Sequence, residues 1–337
     1  MTETYDITVV GAGPVGLFTT FYGGMRGASV HLIDSMPEVG GQLSALYPEK
    51  YIYDIAGYPK IKAQDLVDQL YEQAMTFSPT ITLGESVLRV NKLDDLLFEV
   101  ETTGGTYKTK NIIITAGAGA FQPRRLEVED ADVYEGKNLH YFIKKLDDFK
   151  DENVLICGGG DSAVDWSLAL EPIAKSVTLI HRRDRFRAHE ASLDQLKASS
   201  VNIRTPFEVG QLIGNGEKIE QVEIKEVRGE ATDTLDIDSV IVNFGFITDL
   251  GPLKEWGLEI HRNSISVNQQ METNIEGIYA SGDICIYDGK PKLIATGFGE
   301  ATVAVNQAKL RIDPKARVTV HSTHLFEQKE QQAQKQS

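Results

Sequence analysis

Two glycine-rich turns carry the chemistry that can be read in this 337-residue sequence. The first is "GAGPVG", with Gly11, Gly13 and Gly16; the second is "GGGDSA", with Gly158, Gly160 and Ala163. At this spacing each position has its own physical task. The first glycine makes a tight strand-to-helix turn, the second lets backbone approach a pyrophosphate, and the third small residue lets the helix lie close to the sheet. The anion then sits at a helix N-terminus, where free N–H groups and the helix dipole favour negative charge. Downstream of the first turn, 23 residues after Gly11, stands Asp34. A carboxylate there accepts from ribose hydroxyls and repels a 2′-phosphate, which suits FAD or NAD. The residue aligned with it in the second copy is His181, followed by Arg182, Arg183, Arg185 and Arg187 in "HRRDRFR". Guanidinium groups at the ribose end of such a site suit the 2′-phosphate of NADPH.

The elements that must position these residues are repeated. "DITVV", the glycine turn, the apolar stretch "LFTTFYGGMRG" and "SVHLI" read as strand, turn, helix and strand. "NVLIC", "GGGDSA", "VDWSLALEPIAK" and "SVTLI" read the same way. One constant offset of 147 aligns Gly11 with Gly158, Gly16 with Ala163, and Val30, Leu32 and Ile33 with Val177, Leu179 and Ile180. Such a shared register is far less expected by chance than either turn alone.

Two further stretches favour FAD at the first turn. "EVGGQLSALYPEKYIYDIAGYP", residues 38–59, reads as a loop over a planar ligand, with Gln42 a hydrogen-bonding candidate and Tyr47 a stacking one. Residues 275–308 contain a strand leading into Gly282-Asp283, then a helix expected to begin near Gly299 and Glu300. Asp283 suits a ribityl hydroxyl, although an Asp after Gly is also an ordinary turn residue. The fold expected is α/β, with two Rossmann-like three-layer domains. A discontinuous FAD-binding domain spans residues 1–119 and 244–337, and an NADPH-binding domain of residues 120–243 is inserted into it. Together these imply a flavin-dependent pyridine nucleotide oxidoreductase, with FAD and NADPH as its cofactors.

Composition excludes other classes. The only cysteines, Cys157 and Cys285, stand 128 residues apart, so there is no C-x-x-C pair, disulfide scaffold or cysteine-rich metal site. The net charge of −15 argues against nucleic acid binding through a general basic surface. No apolar run is long enough for a membrane span, and the N-terminus lacks the features of a secretory signal, so a cytoplasmic protein is expected.

Taken together, "GAGPVG", "GGQL", "GGGDSAVDW", "HRRDRFRAHE" and "SGD" resemble the thioredoxin reductase-like flavoproteins over nearly the whole chain. Disulfide reductases of this shape carry a C-x-x-C a little before the second glycine turn, where this chain has "EGKNLHYFIKKLDDFKDENVL". That departure, with the 38–59 stretch and the C-terminal "VHSTHLF", is similar to the thioredoxin reductase-like bacterial ferredoxin–NADP reductases. The resemblance implies a homodimer with one FAD per subunit. It implies hydride transfer between NADPH and FAD, then single-electron transfer to ferredoxin or flavodoxin, with no side chain required as acid or base. It further implies that Asp34, Gln42, Tyr47, Val87, Phe121, Asp283 and Thr323 contact FAD. Tyr47 and His321 would flank opposite faces of the isoalloxazine ring, His321 coming from the partner subunit. Arg182, Arg183 and Arg187 would hold the 2′-phosphate. From their surroundings alone, Val87 and Phe121 suit a hydrophobic core equally well, and a His near a polar C-terminus is ordinarily solvated. An acidic protein partner would need a local basic cluster, for which Lys50, Lys60, Lys62, Lys144, Lys145 and Lys292 are candidates. A flavin monooxygenase, a reductase of a separate disulfide protein and a nucleotide-holding redox sensor remain alternatives.

Overall fold

The computed structural model describes residues 4–317, except for the side chain of Phe121. The chain divides into two units, one of Met1–Ala120 with Thr248–Ser337 and one of Phe121–Ile247. The two crossing segments, strands Ala120–Pro123 and Phe246–Asp249, pair with each other.

In the first unit, parallel strands run in the order Thr80–Leu83, Val30–Asp34, Thr4–Val10, Thr106–Ile114 and Ile278–Ala280. The Thr106–Ile114 strand is shared: its first half also closes an antiparallel meander with Leu97–Thr102 and Val87–Asp94. Period-two alternation sorts its isoleucines. Ile113 joins one core with Ile7, Val9, Leu32, Leu66, Leu70, Ala304 and Val305, under helices Pro14–Met25, Ala63–Met75 and Ile294–Ile312. Ile112 and Ile114 join the opposite core with Ile33, Phe98, Val100, Trp256 and Ile278. Pro14 opens the first helix at a position where its missing N–H costs nothing and its ring presets φ. The last helix stops at Asp313-Pro314, since the residue before a proline is driven from helical backbone. It starts at Ile294, not near Gly299 and Glu300. Gly297 and Gly299 both lie inside the helix.

In the second unit, five parallel strands run Leu139–His140, Ser239–Asn243, Asn153–Gly158, Ser176–Ile180 and Asn202–Arg204. Helix Asp161–Leu170 packs on the central pair, and Pro172 follows its end, short of the expected continuation to Lys175. On the other side Leu155, Cys157, Val240 and Val242 share a core with Val209, Leu212, Val222 and Ile224 of the antiparallel meander 207–236.

The repeat persists in hydrogen-bond register. Ile7 pairs with Val30 and Val10 with Ile33; at the 147-residue offset, Val154 pairs with Val177 and Cys157 with Ile180. The third strand repeats as well: Ile7 faces Asn111 and Val10 faces Ile114, as Val154 faces Ser239 and Cys157 faces Val242. Each unit is a Rossmann-like three-layer α/β fold. Among the described residues, no helix is long and apolar enough to cross a membrane, and no cluster of His, Cys, Asp and Glu is placed to hold a metal ion.

Candidate functional site

In the first unit, four segments leave the C-terminal ends of parallel strands: the 11–16 turn, the 38–47 stretch, the 115–119 loop and the 281–283 turn. Ligands of open α/β sheets bind at this edge. Gly11 has φ of +113° and donates its N–H to the Ile33 carbonyl at 2.8 Å. A Cβ there would lie 2.6 Å from the Thr115 carbonyl oxygen. Gly16 is tighter still, its hypothetical Cβ falling 1.8 Å from the Gly11 oxygen. Gly13, by contrast, has ordinary extended backbone at φ −68°, and a Cβ on it would meet nothing within 4 Å. The open space lies at the first turn of helix Pro14–Met25, where an anion would be received.

Asp34 ends its strand against this turn. Its Oδ2 accepts from the Ala12 N–H at 2.5 Å and its Oδ1 from the Met36 N–H at 2.7 Å. Burial raises its carboxyl above the usual range in spite of these bonds. Asp34 therefore braces the glycine turn. The "GGQL" stretch folds onto the same turn: Gly40 N–H reaches the Ala12 carbonyl at 2.8 Å, and a Cβ on Gly41 would lie 3.2 Å from Gly13 Cα. Gln42 opens the short helix Gln42–Leu46, and its Nε2 is 4.0 Å from where a Gly117 Cβ would stand. Half-buried Tyr47 follows that helix, and its phenol is raised by burial, then by the nearby charges of Asp283 and Asp54. Asp283 is exposed, whereas Gly282 before it is buried. Val15 packs against Gly282 and against Gly297, so the first helix, the 281–283 turn and the last helix converge.

The structure thus brings together Gly11, Gly13, Gly16, Asp34, Gln42, Tyr47 and Asp283. Val87 lies in the hydrophobic core with Ile33 and Phe98, two residues beyond Glu85, whose N–H bonds the Asp34 carbonyl at 3.0 Å. Phe121 lies in the crossing strand; its side chain, with His321 and Thr323, falls outside the described residues. The buried hydroxyls of Ser44 and Ser281 have no hydrogen-bond partner among the described residues. These open and unpaired features fit a dinucleotide laid across the strand ends.

The second unit repeats the device with different endings. A Cβ on Gly158 would lie 2.5 Å from the Asn243 carbonyl oxygen, as on Gly11 it would from Thr115, while Gly160 has nothing within 4 Å. Ala163 sits where Gly16 does, at the inner face of its helix. In place of Asp34, the His181 ring lies against Gly159, so close that a Cβ there would fall 2.3 Å from it. Burial, and to a lesser degree the charges of Arg182, Arg183 and Arg187, lower the His181 imidazole below its usual range. The arginine segment loops out and returns, with the Arg187 N–H on the Gly159 carbonyl at 2.7 Å and Asp161 Oδ1 accepting from His189 N–H at 2.9 Å. Arg182, Arg183, Arg185 and Arg187 are exposed, and none makes an ion pair with another described residue. The buried Nδ2 of Asn243 likewise has no partner among them. Exposed cations around the strand end, beside an open glycine, fit a dinucleotide with an added phosphate.

Both thiols are out of play. Cys157 is buried in its strand, and burial drives its thiol well above the usual range. Cys285 is buried too, pushed up to about 12 by burial and then by Glu300. Of the lysine candidates, Lys62 pairs with Glu49 at 2.8 Å and Lys60 lies 4.5 Å above the Tyr51 ring. Lys144, Lys145 and Lys292 are exposed. Glu300, absent from the expected site, bonds the Gly282 N–H at 2.7 Å. Its signal in the sequence was a carboxylate on the apolar stripe Gly297, Glu300, Ala301, Ala304, Val305 and Ala308.

A family model of the pyridine nucleotide-disulphide oxidoreductases matches residues 5–308. The ferredoxin–NADP reductase of Halalkalibacterium halodurans is 66% identical over 325 residues, covering 96% of this chain and 98% of its own. Ferredoxin–NADP reductase 2 of Bacillus subtilis is 60% identical over 329 residues, covering 97% and 99%. Among solved structures, the thioredoxin reductase of T. acidophilum matches with a TM-score of 0.76 at 26% identity, covering 91% of this chain and 98% of its own. That of Lactococcus lactis matches with a TM-score of 0.76 at 25% identity, covering 92% and 99%. The chain belongs to the pyridine nucleotide-disulphide oxidoreductase family, in its thioredoxin reductase-like ferredoxin–NADP reductase branch.

Proposed function

We propose that this protein is an FAD-dependent ferredoxin–NADP reductase, carrying electrons between NADPH and ferredoxin or flavodoxin. One observation carries the cofactor assignment. Two units share one strand register, yet the second strand ends in half-buried Asp34 in one and is followed by His181 with exposed Arg182, Arg183 and Arg187 in the other. The names of the relatives at 66% and 60% identity extend that reading to ferredoxin.

In this reading residues 1–119 and 244–337 hold FAD, and the inserted residues 120–243 hold NADPH. The Gly11, Gly13 and Gly16 turn receives the FAD pyrophosphate, and Asp34 offers its remaining lone pairs to the ribose. Gln42 and Asp283 bond the flavin and its ribityl chain, Tyr47 stacks on the ring, and Val87 and Phe121 contact FAD as well. Thr323 contacts FAD in this reading and His321, from the second subunit of a homodimer, flanks the ring face opposite Tyr47; both lie outside the described residues. Gly158, Gly160 and Ala163 receive the NADPH pyrophosphate, and Arg182, Arg183 and Arg187 bind the 2′-phosphate. Bound FAD supplies the exchange between two-electron chemistry with a nicotinamide and one-electron chemistry with the acceptor, while the protein orients and excludes. The exchange asks no proton transfer of a side chain, and the buried, upward-shifted thiols of Cys157 and Cys285 are not needed. Dithiol chemistry requires adjacent attacking and resolving thiols, which this chain lacks. The acidic chain docks its partner through a local basic cluster, and it works in the cytoplasm. The test is rapid-mixing reduction by NADPH against NADH, followed by electron transfer to ferredoxin. NADPH selectivity and transfer to ferredoxin are expected; equal use of NADH, or turnover with thioredoxin instead, would overturn the reading.

A further inference from the structure

The turn that carries Asp283 is held by a buried polar cluster that the reaction does not use. Glu300 sits on the last helix with its side chain 4% exposed, and Lys290, 3% exposed, forms an ion pair with its Oε1. Tyr287 donates its hydroxyl to the same oxygen at 2.8 Å. The other oxygen, Oε2, accepts the Gly282 N–H at 2.7 Å and faces the Cys285 thiol at 3.6 Å. Lys290 Nζ also reaches Cys285 Sγ at 3.1 Å and lies 5.2 Å from the centre of the Tyr287 ring. One carboxylate thus gathers four donors, all from the 282–290 segment. A charged pair out of water is costly, and a tightly packed apolar pair would often serve stability as well or better. The pair's distinguishing product is the bond to Gly282, a charge-assisted link to the main chain immediately before Asp283. The residue is also reached from the other side: Val15, at the start of the first helix, packs on Gly282 and Gly297.

We propose that Glu300, neutralised by Lys290, is a positioning residue for FAD: through the Gly282 N–H it fixes the main chain that aims Asp283 at the ribityl chain. This rests on the assignment of FAD to the first unit. Glu300 touches no cofactor atom in this scheme. It acts on the turn, so its loss shows in how tightly and in what environment the flavin is held.

The test compares two neutral, volume-conserving double variants in the full chain, Glu300→Gln with Lys290→Met and Glu300→Leu with Lys290→Met. Both remove the charges; only the Gln variant keeps an acceptor for the Gly282 N–H. FAD titration of the apoproteins should give binding within about threefold of the parent for the Gln pair and about tenfold or more weaker binding for the Leu pair, the loss expected for one hydrogen bond to a charged group. The flavin absorbance bands of the Leu pair should shift toward those of free FAD, and its Gly282 amide should exchange faster with deuterium. Glu300→Asp withdraws the carboxylate by one methylene while keeping its charge. It should also weaken FAD about tenfold, and it carries the test if the Leu pair does not fold. Parent-like FAD affinity in the Leu pair or in Glu300→Asp overturns the proposal. Asp283→Ala separates the two levels: if it leaves FAD affinity unchanged, the site assignment fails; if it weakens FAD while the Glu300 variants do not, only the positioning role fails.

Discussion

Replacing glycines by alanine separates the fold from the ligand, because two glycines two residues apart face different surroundings. Gly11→Ala places a methyl 2.6 Å from the Thr115 carbonyl oxygen and 2.9 Å from Ala116 Cα, at a φ of +113°. Neither neighbour is a flexible side chain. The backbone penalty of about 1–2 kcal/mol and an overlap of about 1–3 kcal/mol together predict a loss of about 3 kcal/mol. For a unit of this size that lowers the melting temperature by about 6–12 °C. Gly13→Ala adds the same methyl at φ −68° with no atom within 4 Å. The apoprotein should keep its stability, or gain up to about 1 kcal/mol from the stiffer unfolded chain. In the proposed site, however, FAD must approach this backbone. Displacing a phosphate oxygen from one or two N–H groups forfeits about 1.5–3 kcal/mol, a tenfold to hundredfold weaker binding. Calorimetry of the apoproteins and titration with FAD, followed by flavin fluorescence, read the two effects separately. The second unit supplies its own copy of the experiment: Gly158→Ala, 2.5 Å from the Asn243 oxygen, should lower stability, and Gly160→Ala, in open space, should weaken NADP+ alone. FAD affinity within twofold of the parent in Gly13→Ala would refute the placement of the pyrophosphate. A stability loss in Gly13→Ala equal to that of Gly11→Ala would refute the division of labour.

Three other perturbations test separate parts of the structure. Arg182→Ala and Arg183→Ala should each raise the KM for NADPH about tenfold or more, leave NADH unchanged and leave stability unchanged, since both are exposed and free of ion pairs with described residues; an equal effect on the two nucleotides would remove the 2′-phosphate assignment. Iodoacetamide at pH 8 should leave Cys157 and Cys285 unmodified in the native protein and label both on unfolding, because burial disfavours both thiolates; rapid native labelling would contradict their burial. His31 is buried between the Tyr5 and Tyr107 rings and pushed down to about 4 by burial, despite the Glu85 charge. The unfolded chain binds its proton below pH 6.5 and the folded chain only near pH 4, so stability is retained above 6.5 and lost as pH falls through this window. The loss from this group is about 2 kcal/mol by pH 5, and urea unfolding of His31→Phe should show that much less acid sensitivity than the parent.

The βαβ repeat was legible because its information is local and periodic. Strand burial, turn glycines and the shared offset depend on neighbours a few residues away, and the observed pairings Ile7–Val30 and Val154–Val177 follow that offset. The contrast between Asp34 and the arginine segment was legible for the same reason, since each follows a strand of known length. What escaped was tertiary. The last helix was expected to begin near Gly299, but it already includes Gly297, where a Cβ would stand 2.4 Å from Val15 Cγ2. That glycine marks close packing between two helices, and the helix begins at Ile294 because packing outweighs glycine's weak helix propensity. Asp34 was read only as a ribose ligand; its bonds to Ala12 and Met36 depend on how the following stretch folds back.

The two units also show why a fixed scaffold can carry two specificities. In both, the first glycine is closed by a carbonyl at the end of the third strand, Thr115 just past it in one and Asn243, its last residue, in the other. That contact belongs to the sheet and is indifferent to the ligand. The next decision lies where the second strand ends, at Asp34 in one unit and just past Ile180 in the other. A short carboxylate that reaches back to Ala12 keeps lone pairs for the ribose of the proposed site. An imidazole lying on Gly159 removes the carboxylate, and the chain then carries its guanidiniums outward before returning at Arg187. The exchange of Asp for His costs the turn one hydrogen bond, and the Arg187 N–H on the Gly159 carbonyl ties the second turn from the other side. In the proposed reading, cofactor choice is therefore set at the end of the second strand, and so it varies between the copies while the pairing of the first two strands does not.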